Sequence, residues 1–273
     1  MDRKTQNTLN WIELGNLWKQ YIETVDLALI DYNKAPHPTY ISTIYQNLLQ
    51  RIFIGVRSGT VLLMHLNKSY FKFSIAIQLR AVILDSMIAV YLIDYTNNEN
   101  EFKKQIGDLS HQTARNIKED LEETFKNTSV SAEKRQEIFK TLSEIFPGNF
   151  NYKDKTKFNP DYEPISAFKM TNFYCANLKT DEKQQKWMKD CYDLYKHFSI
   201  YEHFNSLSKP LLDSDSAFDY DLNRFMYSTK FFFDASKVCL GGLKDDGRYI
   251  KKIDELLKKF NTLKPVNINN TLE

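Results

Sequence analysis

Arg80 and Asp85 sit inside the most apolar run of this chain, Phe71–Tyr95 (FKFSIAIQLRAVILDSMIAVYLIDY). A second polar pair, Tyr201 and His203, lies far downstream in the segment HFSIYEHFN. A histidine titrates near neutral pH and can serve as a general acid or base. An arginine can hold a phosphate or stabilise a developing negative charge, and a carboxylate can orient either group. Charges inside an apolar run must find partners or open onto a cavity, because an unpaired buried charge is very costly. If the downstream segment packs on the apolar helix, Arg80, Asp85, Tyr201 and His203 converge on one candidate catalytic site. The same residues can instead be structural: a buried Arg80–Asp85 pair, with Tyr201 and His203 capped or at the surface.

These side chains need elements to position them, and the composition points to helices. The chain has 8 Gly and 7 Pro in 273 residues, well below the roughly 12% usual for the two together. A β-rich chain needs many turns, and turns lean on both residues. Residues 9–32 form a first helix, because Leu14, Leu17, Trp18, Tyr21, Val25, Ala28, Leu29 and Tyr32 recur at steps of three and four. The prolines at 36 and 38 end it. Residues 39–68 read as a second helix with one apolar stripe. Its Gly55 and Gly59, four apart, admit a close neighbour or mark a bend.

The central helix Phe71–Tyr95 follows, with Ser69 as its N-cap, and pairs with the second helix as an antiparallel hairpin. Residues 99–126 and 131–146 are more polar helices, the latter stopped by Pro147-Gly148. Residues 147–165 (PGNFNYKDKTKFNPDYEPI) are the longest irregular stretch. They form either a lid or a connector pinned by Phe150, Tyr152, Phe158 and Tyr162. Further helices are predicted at 166–178, from an N-cap at Thr180 towards His197, at 216–240 with a stop at Gly241-Gly242, and at 249–260. Residues 206–216 read as a loop and 262–273 as a loose tail. The expectation is one all-α antiparallel bundle of about eight or nine helices over residues 1–273. It is divisible into an N-terminal bundle, 1–146, the 147–165 loop, and C-terminal helices, 166–261.

Composition excludes several classes. The net charge of +2 supplies no strong overall field towards nucleic acid or an anionic membrane. Cys175, Cys191 and Cys239 form no CxxC pair, and their odd number fits reduced thiols in the cytoplasm rather than disulfides or zinc. The opening MDRKTQNTLNWIE has no signal-peptide pattern. Phe71–Tyr95 is long enough to cross a membrane, but Arg80 and Asp85 at mid-span would each cost roughly 2.5–3.5 kcal/mol. No membrane span is expected. Gly-rich phosphate loops, HExxH and GxSxG are missing, and no cofactor or metal is expected. Lys153, Lys155 and Lys157 beside Phe150, Tyr152 and Phe158 suit nucleic-acid contact or a solvated loop. The run Phe231-Phe232-Phe233 suits burial or an oligomer interface.

The pattern LR-x4-D in LRAVILDSM (79–87), followed much later by Y-x-H at Tyr201–His203, resembles uncharacterised bacterial all-α families related to the HEPN group. The likeness covers roughly residues 40–95 and 185–240 and rests on short motifs. HEPN domains are helical bundles, often dimeric, and many belong to toxin, abortive-infection or other defence systems. Active ones cut RNA without a metal. The resemblance therefore implies a HEPN-like core, a homodimer, and RNA or a nucleotide as ligand. Arg80 would bind phosphate and His203 would act as acid or base, with Asp85 and Tyr201 in support. The chain departs from the usual HEPN ribonuclease motif, which holds an Arg and a following His closer together on one helix. The nearest match, Arg57 and His65, is separated by about 12 Å of helical rise, too far to share one phosphate. The alternative is a non-catalytic helical module that binds a protein or ligand, its polar residues serving structure alone.

Overall fold

Apolar residues at steps of three and four build one α-helix after another along the chain. A computed structural model describes residues 3–34, 38–64, 71–146, 149–151, 153–159, 164–176, 181–201 and 216–263, without the side chains of 3–7 and 216–220. Among these residues the helices are α1 (Arg3–Tyr32), α2 (Tyr40–Leu63), α3 (Phe71–Tyr91), α4 (Glu99–Asn127), α5 (Ala132–Ile145), α6 (Ala167–Ala176), α7 (Glu182–Ser199), α8 (Ser216–Gly242) and α9 (Arg248–Phe260). No strand forms among the described residues beyond one isolated bridge between Phe150 and Phe158. The all-α expectation holds.

Element ends differ from the sequence reading where caps decide them. The apolar run stays α-helical only to Tyr91, and Leu92–Tyr95 tightens into a 3-10 turn. α2 ends at Leu63; Ser69 and His65 lie outside the described residues. Asp181 caps α7, its carboxylate accepting from the Lys183 N–H at 3.1 Å, whereas Thr180 lies outside the described residues. α8 runs through both predicted stop glycines, and Lys244 takes the left-handed conformation that ends the turn (φ 60°). Gly242 serves packing: a Cβ there would stand 2.2 Å from the Tyr45 ring, so glycine permits contact with α2.

Contacts divide the chain into two compact units, Met1–Ile93 with Tyr174–Glu273, and Asp94–Phe173. In the first, α3 packs on α2, α7 and α8, while α1 packs on α2, α8 and α9. The α1 stripe read from the sequence is buried: Leu14, Trp18, Tyr21, Val25 and Ala28 have no exposure. The Trp18 indole N–H donates to Thr229 Oγ1 at 2.8 Å, and the Tyr21 hydroxyl pairs with Ser236 Oγ at 2.7 Å. These bonds satisfy polar atoms that aromatic burial would otherwise strand. All three residues of the Phe231–Phe233 run are buried. Phe231 meets Trp187 of α7, while Phe232 and Phe233 both meet Tyr21 of α1. The glycine pair on α2 serves two neighbours, Gly55 facing Val82 of α3 and Gly59 facing Trp18 of α1.

The second unit is built on α4 and α5. Ala114, Phe125, Phe139, Leu142 and Phe150 form its core. The irregular stretch is held there by its aromatics and one amide. The Phe150 and Phe158 ring centroids are 5.0 Å apart. Asn149, fully buried, donates to the Gly107 carbonyl at 2.7 Å. Tyr152 and Tyr162 lie outside the described residues.

The glycine contacts give a stability test. A Cβ at Gly55 would stand 2.4 Å from Val82 Cγ2, on a stiff β-branched side chain. Gly55→Ala is expected to cost about 1–3 kcal/mol as overpacking. At Gly241 a Cβ meets nothing within 4 Å, so Gly241→Ala is expected to stabilise by up to about 1 kcal/mol through helix propensity. Urea-unfolding midpoints of the two variants check the contrast.

Candidate functional site

Helical register places the charges of α3 before any neighbour does. Arg80 and Asp85 are five residues apart, hence about 140° apart around the axis. They address different helices, and no Arg80–Asp85 pair forms. Arg80, half-buried, turns to α7. Its Nε donates to Ser199 Oγ at 3.0 Å and its Nη2 to the Tyr195 hydroxyl at 3.0 Å. Its guanidinium carbon also lies 4.8 Å from the centre of the Tyr195 ring. Tyr195 and Ser199 are four apart, so one face of α7 presents both. Ser199 in turn donates to the Tyr195 carbonyl at 2.9 Å, which fixes its hydroxyl.

Asp85 turns to α2. Its carboxylate is 3% exposed and meets the Arg51 guanidinium at 2.9 and 3.1 Å. Arg51 itself is largely exposed. Burial pushes the Asp85 carboxyl up to about 6, with Arg51 pulling the other way.

Tyr201 is buried just beyond the end of α7 and does reach a charge of α3, though through an intermediary. Its hydroxyl donates to Asp221 Oδ1 of α8. The other oxygen of Asp221 lies 3.8 Å from Lys72 Nζ of α3, and both of these side chains are 2% exposed. Asp221 Oδ2 has no hydrogen-bond partner among the described residues, so the Lys72 contact is purely coulombic. Burial raises the Asp221 carboxyl to about 6 against the pull of Tyr201 and Lys72. The Tyr201 phenol is raised by burial and then by the Asp221 charge. Its ring stands edge-on to Phe73 at 5.7 Å and to His197 at 5.6 Å. Burial lowers His197 to about 4, so its imidazole is neutral at pH 7. His203 lies outside the described residues.

Of the four predicted site residues, then, Arg80 meets α7, Asp85 meets α2, and Tyr201 meets α8. Arg51, Lys72, Tyr195, Ser199 and Asp221 complete these contacts, and sequence reasoning missed all five. One signal was available: Tyr195 and Ser199 are four residues apart, the spacing that keeps side chains on one helix face. No cluster of three or more His, Cys, Asp or Glu placed to hold a metal occurs among the described residues. Phe71–Tyr95 is the one helix among them long and apolar enough to cross a membrane, and 67% of its apolar window is buried against protein. No known family model, no curated protein and no solved structure matches this chain.

The buried carboxylate carries a pH signature. Asp221 binds its proton near pH 6 when folded and near its ordinary 3.8 when unfolded. The folded state therefore holds the proton more tightly, and stability from this group rises as pH falls from about 6 to 4. Asp85 acts in the same direction, while His197 acts oppositely because its folded form resists protonation. Relative to Asp221→Asn, the wild type is expected to gain about 2 kcal/mol between pH 7 and pH 4. Urea titrations at both pH values measure this, and parallel profiles for the two proteins would refute it.

Proposed function

We propose that this chain is a HEPN-like helical protein of the bacterial defence or toxin type that acts on RNA or nucleotides, with Arg80 as its phosphate-binding group. The observation that carries the reading is the clamp on Arg80. Two hydrogen bonds and a ring from one face of α7 hold a half-buried guanidinium in a single orientation. A pre-oriented guanidinium loses less entropy on capturing an anion than a free one, and partial burial strengthens the attraction. His203, four residues beyond Ser199 in sequence, supplies the acid or base in this proposal. Tyr201 acts as a positioning residue through Asp221 and Lys72, and Asp85 ties α3 to α2.

A second reading, a non-catalytic module that binds a protein or ligand, is favoured by one observation. Arg80, Asp85 and Tyr201 answer to three different helices. A structural polar network has that character.

Purified protein incubated with total RNA separates the two. Under the first reading the wild type degrades RNA, and Arg80→Ala and His203→Ala each slow it by about 10²-fold or more with unchanged helical content by circular dichroism. Intact RNA with the wild type, or equal cleavage by the variants, leaves the non-catalytic reading.

A further inference from the structure

α9 separates charge from apolar surface more sharply than any other helix described here. At 100° per residue, Arg248, Lys251, Lys252, Lys258 and Lys259 fall within an arc of about 120°, with Glu255 as the one acid among them. All six are exposed. The opposite face, Tyr249, Ile253 and Leu256, is buried, and α9 packs on α1 and α8. Arg248 is engaged by Asp31 at 2.9 Å. Among the described residues, Lys251, Lys252 and Lys258 enter no ion pair, and Lys259 reaches the Gln20 side-chain oxygen at 3.0 Å. Lys251 and Lys258, like Lys252 and Lys259, are seven apart, which makes two parallel rows of positive charge along the helix.

The rows end beside a recess. Between α8 and the end of α9 lies an open hollow of about 240 Å³, walled by Met226, Tyr227, Lys230, Phe260, Asn261 and Leu263. The Tyr227 side chain is 58% exposed, so its ring is available to a planar partner. Lys230, one turn further along α8, is exposed as well.

We propose that α9 and the recess beside Tyr227 form a binding surface for single-stranded RNA, built from α8 and α9 rather than from α3 and α7. The proposal rests on the reading that this protein acts on RNA. Lysine rows follow a phosphate backbone without reading sequence, and an exposed aromatic ring stacks a base. The hollow gives that base a wall on its second side, with Asn261 and Lys230 offering polar groups to its edge. An anionic membrane fits less well. A helix lying on a bilayer buries its apolar face in lipid, and here α1 and α8 already cover that face. A flat headgroup surface also has no use for the hollow.

The test is fluorescence anisotropy of the whole chain with a labelled oligouridine of about fifteen nucleotides, titrated at several KCl concentrations. The variants are the quadruple Lys251→Gln, Lys252→Gln, Lys258→Gln, Lys259→Gln, then Tyr227→Ala, and Arg80→Ala. All five substituted α8 and α9 positions are exposed, and circular dichroism verifies that the variants fold. The quadruple variant is expected to lower the slope of log affinity against log salt by about 3, at roughly 0.7 per phosphate contact. Tyr227→Ala is expected to weaken binding about tenfold with the slope unchanged. Wild-type affinity and slope retained in both variants, with RNA cleavage still lost in Arg80→Ala, overturns this surface and leaves the Arg80 reading standing. Binding lost in both variants, with cleavage unaltered in Arg80→Ala, upholds the surface and overturns the Arg80 assignment. Wild-type protein that ignores the oligouridine but sediments with phosphatidylserine vesicles overturns the surface in favour of a membrane.

Discussion

Three charged side chains, Lys72, Arg80 and Asp85, sit on the most apolar helix of the chain, and each has to be answered from elsewhere in the fold. An ion buried without a partner costs several kcal/mol, a large share of the stability of a whole domain. Asp221 answers Lys72, Arg51 answers Asp85, and the hydroxyls of Tyr195 and Ser199 answer Arg80. The answering groups come from α8, α2 and α7. These are the three helices that pack on α3, so charge matching and apolar packing specify the same neighbours.

The remaining helices of that unit are locked by a different device. α1 and α8 meet through large aromatic rings whose polar tips find hydroxyls two helical turns apart, Thr229 and Ser236. Each hydroxyl also donates to the carbonyl four residues earlier in α8. The indole and phenol are thus buried without an orphaned polar atom, and a helix carrying three consecutive phenylalanines acquires one orientation. Such a rigid frame suits a site on α3 and α7, because a clamp on a guanidinium holds its aim only if the helices beneath do not slide. In the same frame burial shifts the carboxyls of Asp85 and Asp221 upward and His197 downward, so their contributions to stability oppose one another as pH falls.

Arg80 and the cationic face of α9 divide the work of handling a polyanion in this reading. One is a single guanidinium held in a fixed pose, which suits one phosphate at a defined place. The other is a pair of rows of exposed lysines, whose attraction is long-ranged, salt-sensitive and indifferent to sequence. The low net charge of the chain, +2, conceals that local excess, because the acids are distributed elsewhere.

The helical class, the stripe from Leu14 to Leu29 and the pinning role of Phe150 and Phe158 were all legible in the residues, since each depends on spacing within a few turns. The divergence of Arg80 and Asp85 follows from five residues at 100° each, yet the sequence reading brought the two together, as one site or as a pair. What the chain alone did not disclose was who receives them. Arg80 meets partners 115 and 119 residues away, and the Lys72–Asp221 contact spans a comparable gap. The helix stop expected at Gly241-Gly242 comes two residues late, at the end of the pair, and the use of Gly242 is equally non-local: the Tyr45 ring needs bare backbone there. Periodicity reports what a helix does to its own side chains. Which helices then stand beside it is settled by burial summed over the whole fold, and no local pattern contains that sum.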